Sequence, residues 1–171
     1  YEITGIGTSR NGLTFVSTMG GGVERFTREV DGVSGATQYD TNWSGLASMH
    51  ILCLHMDDTV QAYGTTKGVA IHYSEFTKWN WLTLLPEMGL NADTVISVVR
   101  GSDRRWWFGT TRGLNSYDED RYEWGSYTLH SHGLLNDSIL HLAEDTDGAI
   151  WMATPRGLSR LQDGQVTNYP K

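Results

Sequence analysis

Apolar residues along the chain fall in short runs of four to eight, divided by clusters of Gly, Asp, Asn and Ser. The runs are rich in β-branched and aromatic types, which favours strand over helix. No window carries a sustained i, i+3, i+4, i+7 stripe, so the pattern predicts no confident helix. The runs also recur. One set reads Ile3-Thr4-Gly5-Ile6, Ile51-Leu52-Cys53-Leu54, Val95-Ile96-Ser97-Val98 and Ile139-Leu140-His141-Leu142. A second reads Leu13-Thr14-Phe15-Val16, Val60-Gln61-Ala62-Tyr63, Trp106-Trp107-Phe108 and Ile150-Trp151-Met152. Polar turns separate the two sets: Thr8 to Gly12, Asp57-Asp58, Gly101-Ser102-Asp103 and Glu144 to Gly148.

Each second run ends in a repeated phrase. It reads Ser17-Thr18 … Gly22-Val23, Gly64-Thr65-Thr66-Lys67-Gly68-Val69, Gly109-Thr110-Thr111-Arg112-Gly113-Leu114 and Ala153-Thr154-Pro155-Arg156-Gly157-Leu158. The threonines lie 47, 45 and 44 residues apart. A period in the forties marks a repeat architecture. A third strand follows each phrase, and a fourth carries Tyr39, Leu82, Tyr127 or Tyr169. Four-stranded units at this period match the blades of a β-propeller. The predicted fold is therefore all-β, with four four-stranded antiparallel blades at about 1–48, 49–92, 93–136 and 137–171. The first is the longest, and Arg28 to Gln38 is expected to expand its last turn. The first two strands are apolar at nearly every position, which predicts burial on both faces. His141 and Cys53 lie in such runs, so a packed histidine and a buried thiol are expected.

The spacing fits a closed four-bladed ring, or an arc that is half of a larger propeller. In an arc the end blades each expose an apolar face, and two copies would pair into an eight-bladed ring. Self-association, or further blades completing the ring, is the expectation. The chain does not begin with Met and shows no signal peptide, which reads as a mature fragment or an excised piece of a longer chain.

Composition narrows the function classes. The formal charge is −7 with no basic run, so nucleic acid is a poor partner. No segment approaches the ~18 consecutive apolar residues of a membrane helix, and no direct membrane insertion is expected. The single cysteine precludes an internal disulfide and fits cytosol and periplasm alike. Seven tryptophans and eight tyrosines read mainly as blade packing.

The fourth unit, Gly133-Leu134-Leu135-Asn136-Asp137 through Glu144-Asp145-Thr146-Asp147-Gly148 to Trp151-Met152-Ala153-Thr154-Pro155-Arg156-Gly157-Leu158, resembles the two-component regulator propeller repeat. The third unit is similar at Gly89-Leu90-Asn91, Trp107-Phe108-Gly109-Thr110 and Gly113-Leu114. The resemblance weakens in the second unit, where Ala62 holds the tryptophan position. It implies a propeller from the sensory half of a bacterial signalling protein, periplasmic, ahead of a membrane helix and a kinase-type output. Family members are linked to carbohydrate sensing and carry more repeats.

On a propeller, loops joining strands two and three share one end with the inter-blade loops. Lys67, Arg112 and Arg156 occupy the same place in three units, and His130, His132, Asn91, Asn136, Asp93 and Asp137 come from inter-blade loops. The candidate ligand site is Lys67, Arg112, Arg156, His132, Asn136 and Asp137. An arc of cations with amide and carboxylate neighbours suits an oligosaccharide or another anionic small molecule, because the guanidinium fork matches carboxylate and sulfate. Solvated turn side chains are the plainer explanation of the same residues.

The opposite end is acidic, with Asp57, Asp58, Asp103, Glu144, Asp145 and Asp147, which turn chemistry accounts for. Asp145-x-Asp147-Gly148 is too short for a calcium loop. His130-Ser131-His132 lacks a third ligand, so no metal and no cofactor is assigned. Gly5-Ile6-Gly7 and Gly20-Gly21-Gly22 precede no helix and are not dinucleotide loops. No catalytic residue is assigned, there being no Gly-x-Ser-x-Gly elbow. The preferred reading is a non-catalytic sensing or interaction domain. A protein-binding scaffold and a polysaccharide-active lyase or glycosidase stand as alternatives.

Overall fold

A computed structural model describes residues 1–9, 12–29, 32–42, 44–73 and 81–171, with backbone alone at 28–29 and 32–36. Arg10 and Asn11 of the first turn, and Val30 and Asp31 of the first unit's last turn, lie outside the described residues. The chain divides into two compact units, Tyr1–Leu85 and Pro86–Lys171.

The first unit holds two antiparallel sheets, each a simple meander. One comprises β1 (Glu2–Thr8), β2 (Thr14–Met19), β3 (Gly22–Glu29) and β4 (Gly32–Tyr39). The other comprises β5 (Ile51–Met56), β6 (Val60–Thr65), β7 (Gly68–Tyr73) and β8 (Trp81–Leu84). Their shared core includes Phe15, Val23, Tyr39, Ile51 and Tyr63, with Leu54 and Met56 packed against it. Of the residues expected to expand the first repeat's last turn, the described ones, 28–29 and 32–38, lie in β3 and β4, which are eight residues each with a bulge between Phe26 and Thr27.

The second unit repeats the plan with β9 (Val95–Arg100), β10 (Trp106–Thr110), β11 (Gly113–Asp118), β12 (Glu123–Tyr127), and then β13 (His141–Glu144), β14 (Ile150–Thr154), β15 (Gly157–Gln162), β16 (Gln165–Pro170). Its core joins Trp107 and Leu114 of the first sheet to Ile139, Leu142, Ile150, Met152 and Leu161 of the second. A one-turn helix, α1 (Leu129–His132), stands in the loop between the sheets. Thr128 and Ser131 form a reciprocal capping box there, a local device that needs no apolar stripe.

The fold is thus all-β, with four four-stranded antiparallel sheets of propeller type. The burial differs from expectation in one respect. Two second strands, β6 and β10, are buried throughout, and the third strand β11 is buried at all but its last residue. The first strands are not uniformly covered. Ile3 and Ile6 of β1 are 59% and 65% exposed, and His141 of β13 is exposed rather than packed. β13 alternates, with Leu142 buried against Trp107 and Leu114 of the preceding sheet and its neighbours His141 and Ala143 exposed. Cys53 is half-buried.

Candidate functional site

The repeated phrase is a hydrogen-bonded device. Thr110 Oγ1 donates to Gly113 O at 2.8 Å and accepts the Arg112 N–H at 3.0 Å. Thr65 does the same with Gly68 O and Lys67 N–H, and Thr154 with Gly157 O and Arg156 N–H. The glycine closing the turn cannot be replaced without strain. Gly113 has φ 112°, and a Cβ there would lie 2.5 Å from Tyr127 O. Each turn therefore presents Lys67, Arg112 or Arg156 from a fixed backbone, and all three side chains are exposed.

In the second unit the turn meets the inter-blade loops. Asn91 Nδ2 donates to Arg112 O at 3.2 Å, and Gly113 N–H donates to Asp137 O at 2.6 Å. Arg112 and Thr111 line a depression of about 430 Å³ together with Asn91, Ala92, Asp93 and Thr94. Arg112 and Asp93 are exposed there, so the depression is lined by one cation, on a fixed backbone, and one carboxylate.

Several other expected site residues have local structural work. Asp137 Oδ1 accepts the Leu129 N–H at 2.6 Å at the start of α1. Asn136 Oδ1 accepts the Ser138 N–H at 2.8 Å in an Asx turn. The His132 ring packs on Tyr127 with centroids 4.7 Å apart, and its Nδ1 is 2.7 Å from Ser131 Oγ. Asn91 Oδ1 accepts from Ser126 Oγ at 2.9 Å. Arg156 O accepts the Lys171 N–H at 3.1 Å, while its guanidinium stays in solvent. Lys67 belongs to the first unit, where its neighbour Thr66 donates its N–H to His50 O at 3.2 Å. Of the six residues, the depression gathers Arg112.

The turns at the opposite end bear out the turn reading at three aspartates. Asp57 Oδ1 accepts the Thr59 and Val60 amides, Asp103 Oδ1 accepts the Arg105 amide, and Asp145 Oδ1 accepts those of Asp147 and Ala149. That end is not simply acidic, however. A depression of about 200 Å³ in the second unit brings Arg100, Arg104 and Arg121 beside Asp103, Asp118 and Glu119. Arg121 comes from the turn between third and fourth strands, which reaches the same end in a meander and which the repeat of acidic first turns does not point to. Arg100 ends β9 and Arg104 stands in the first turn itself, next to Asp103.

Burial pushes the Asp118 carboxyl up, but the Arg121 and Asp120 amides and the neighbouring arginines outweigh it and hold its pKa below the usual range. Asp145 is lowered to about 2, chiefly by the Trp151 indole N–H. Both are held ionised, the wrong state for a general acid at neutral pH. Among the described residues no three His, Cys, Asp or Glu side chains cluster as a cation site, and no helix is long and apolar enough to cross a membrane.

Residues 133–156 match the family model described as two component regulator propeller. No curated protein sequence matches the chain. Among solved structures, the chain is similar to the extracellular domain of a putative hybrid two component system from B. thetaiotaomicron, with 21% identity and a TM-score of 0.80 over 98% of this chain and 23% of that one. It is similar also to virginiamycin B lyase from Staphylococcus aureus, with 14% identity and a TM-score of 0.75 over 99% of this chain and 56% of the lyase. PorZ of Porphyromonas gingivalis, described as a bacterial surface component of the type-IX secretion system, aligns with 18% identity and a TM-score of 0.72 over 94% of this chain and 26% of PorZ. At these identities the likeness is one of fold, and the chain spans about a quarter of the first of these structures.

Proposed function

From a chain that carries a two component regulator propeller repeat at 133–156, we propose a non-catalytic sensing propeller that takes an acidic oligosaccharide on the loop face bearing Arg112. The observation that carries this reading is the turn itself. Thr110 and Gly113 fix the backbone, so Arg112 projects into the depression from a rigid base, beside Asp93. A guanidinium fork suits a uronate carboxylate or a sulfate. A neighbouring carboxylate suits the hydroxyls of the same sugar, as an acceptor.

An extracytoplasmic setting and a place in a signalling protein belong to the same proposal. The extracellular two component domain and the surface component PorZ share the fold and support it.

Thermal unfolding with a panel of acidic and neutral oligosaccharides tests the proposal. Acidic members at millimolar concentration should raise Tm, since ligand at ~100 Kd adds about 2.7 kcal/mol. Arg112→Ala should abolish the shift while leaving the unliganded Tm unchanged, because the side chain is exposed. No shift from any acidic sugar, or a shift that survives Arg112→Ala, would overturn the site.

A further inference from the structure

Repetition makes departures from the repeat visible. The turn between first and second strands has one backbone plan in three repeats. Its first residue donates its N–H to the carbonyl of the fifth: Ser9 to Leu13, Gly101 to Arg105 and Asp145 to Ala149. The fourth residue, Gly12, Arg104 or Gly148, donates back to the first. That fourth position is left-handed each time, with φ 81°, 69° and 78°. Glycine is the relaxed choice there, and two repeats use it. The third repeat places an arginine instead. An outlier of this kind points to a use for the side chain.

The turn between third and fourth strands departs as well. In the last repeat it is the pair Asp163-Gly164, between β15 and β16. In the third repeat it runs from Glu119 to Tyr122, between β11 and β12, and is two residues longer. Both departures meet at one place. Arg104 lines the depression of about 200 Å³ from the first of these turns, and Asp120 and Arg121 line it from the second.

Both walls are braced. Ser102 N–H donates to Glu144 Oε1 and Oε2 at 2.9 and 3.0 Å, and Asp103 Oδ1 accepts the Arg105 amide at 2.9 Å. In the other turn Asp118 Oδ1 accepts the Asp120 and Arg121 amides at 3.1 Å each. A site held in place before its ligand arrives loses less on binding.

The charges decide the ligand class. Three arginines and four carboxylates line the depression, and Arg105 adds a fourth cation 3.5 Å from Asp118 Oδ2. The signs balance, so a lone anion or a lone cation gains little from the lining as a whole. Several of these groups are engaged internally. Glu119 accepts the Trp106 indole N–H, and the Arg100 guanidinium lies over the Trp106 ring, 5.3 Å from its centroid. Arg104 and Asp120 are exposed, and their charged ends have no partner among the described residues. Each turn thus offers one open charge, of opposite sign to the other.

We propose that this depression binds a small zwitterion, with the ammonium and carboxylate groups of a free α-amino acid. The carboxylate meets Arg104 and Arg121, and the ammonium meets Asp120. The volume is below the ~300–1,000 Å³ of a drug-sized ligand's pocket, which suits one small molecule and not an oligosaccharide. The site lies at the opposite end of the sheet from Arg112 and does not rest on the sugar reading.

Amide proton–nitrogen spectra of the 171-residue chain test this. Glycine, L-alanine and L-serine are titrated separately to millimolar concentration, beside acetate and methylammonium, which carry one charge each. At least one of the three amino acids should shift the amides of residues 103–105 and 120–122 saturably. Acetate and methylammonium should bind at least about tenfold more weakly, since each makes half of the charge-assisted contacts. Asp120→Asn keeps the shape and removes one charge. Arg104→Asn removes the other with a residue that tolerates the left-handed backbone. Each should weaken amino acid binding by about tenfold or more. Arg104→Gly replaces Arg104→Asn if that variant does not fold by circular dichroism. No saturable shift from any of the three amino acids, an equal response to acetate or methylammonium, shifts confined to the Arg112 end, or binding that survives both substitutions would each overturn the proposal.

Discussion

Ser159 and Asn168 face each other across β15 and β16, and the Ser159 hydroxyl donates to Asn168 Oδ1 at 2.7 Å. Between them they hold the loop that leads into their repeat. Leu135 N–H donates to Ser159 Oγ at 3.2 Å, and Asn168 Nδ2 donates to Gly133 O at 2.7 Å. One repeat earlier the residue types are exchanged, with Asn115 on the third strand opposite Ser126 on the fourth. Asn115 serves both loop groups alone: Oδ1 accepts the Asn91 N–H at 2.8 Å, and Nδ2 reaches Gly89 O at 3.2 Å. In the first unit Thr83 donates to the matching carbonyl, Gly45 O, at 2.6 Å. The Gly-Leu pairs of the sequence are thus anchored loops, with Leu46, Leu90 and Leu134 buried beneath them.

This exchange makes a coupled prediction. Asn115 is fully buried, so Asn115→Ala strands several polar groups and should cost about 2–4 kcal/mol. Asn115→Ser alone should lose most of the same. Adding Ser126→Asn should recover over half, because it recreates the arrangement that Ser159 and Asn168 already use. Urea midpoints of the three variants decide it, and a double variant no better than Asn115→Ser would sink the idea.

The turn device predicts an ordering among substitutions. Thr110→Val keeps the shape but deletes a hydroxyl with two hydrogen bonds in a buried site, and should cost about 1–3 kcal/mol. Gly113→Ala meets both a positive φ and the Tyr127 carbonyl, and should exceed about 3 kcal/mol. Gly133 also has positive φ, at 72°, but a Cβ there would meet open space. Gly133→Ala should cost only about 1–2 kcal/mol. Chemical denaturation would refute this reasoning if the two glycine variants proved equal.

The strand content and the turns were legible in the sequence because both are local. A threonine, a turn and a glycine at fixed spacing carry their own hydrogen bonds. Asn115 and Ser126 were not legible, because their partnership is cross-strand and no neighbouring residue announces it. The exposure of Ile3, Ile6 and His141 was hidden for a different reason. Their runs match those of Ile51 and Ile139 in composition, and which face is covered depends on the sheet alongside. Lys67, Arg112 and Arg156 were found by repetition, but whether each lines a depression depends on how the inter-blade loop beside it folds.

Tyr63 offers a test of the first unit's core. The residue is fully buried, and its hydroxyl finds no hydrogen-bond partner among the described residues. Burial accordingly raises its pKa. A buried hydroxyl without a partner costs desolvation and returns nothing, while the ring still packs within 6.0 Å of Trp81. Tyr63→Phe should therefore be neutral or stabilise by up to about 1 kcal/mol. A loss of stability in thermal denaturation would show that the hydroxyl is satisfied after all.

Asp145 couples the last sheet to pH. Trp151 Nε1–H donates to its Oδ2 at 2.7 Å, the Asp147 and Ala149 amides donate to Oδ1 at 3.0 Å each, and Arg160 Nε–H donates to Oδ2 at 3.2 Å. Arg160 also lies over the Trp151 ring, 5.7 Å from its centroid. These donors hold the folded carboxyl at a pKa of about 2, against 3.8 for an ordinary aspartate. The unfolded chain therefore takes up the proton first as pH falls. The stability Asp145 contributes is complete above about pH 4 and drains away as pH descends toward 2. Asp145→Asn lacks that charge at every pH. The parent chain should melt above Asp145→Asn at neutral pH, and the gap should close on titration to pH 2. A gap of constant size across the titration would mean that hydrogen-bond geometry, and not the carboxylate charge, is what Trp151 and Arg160 require.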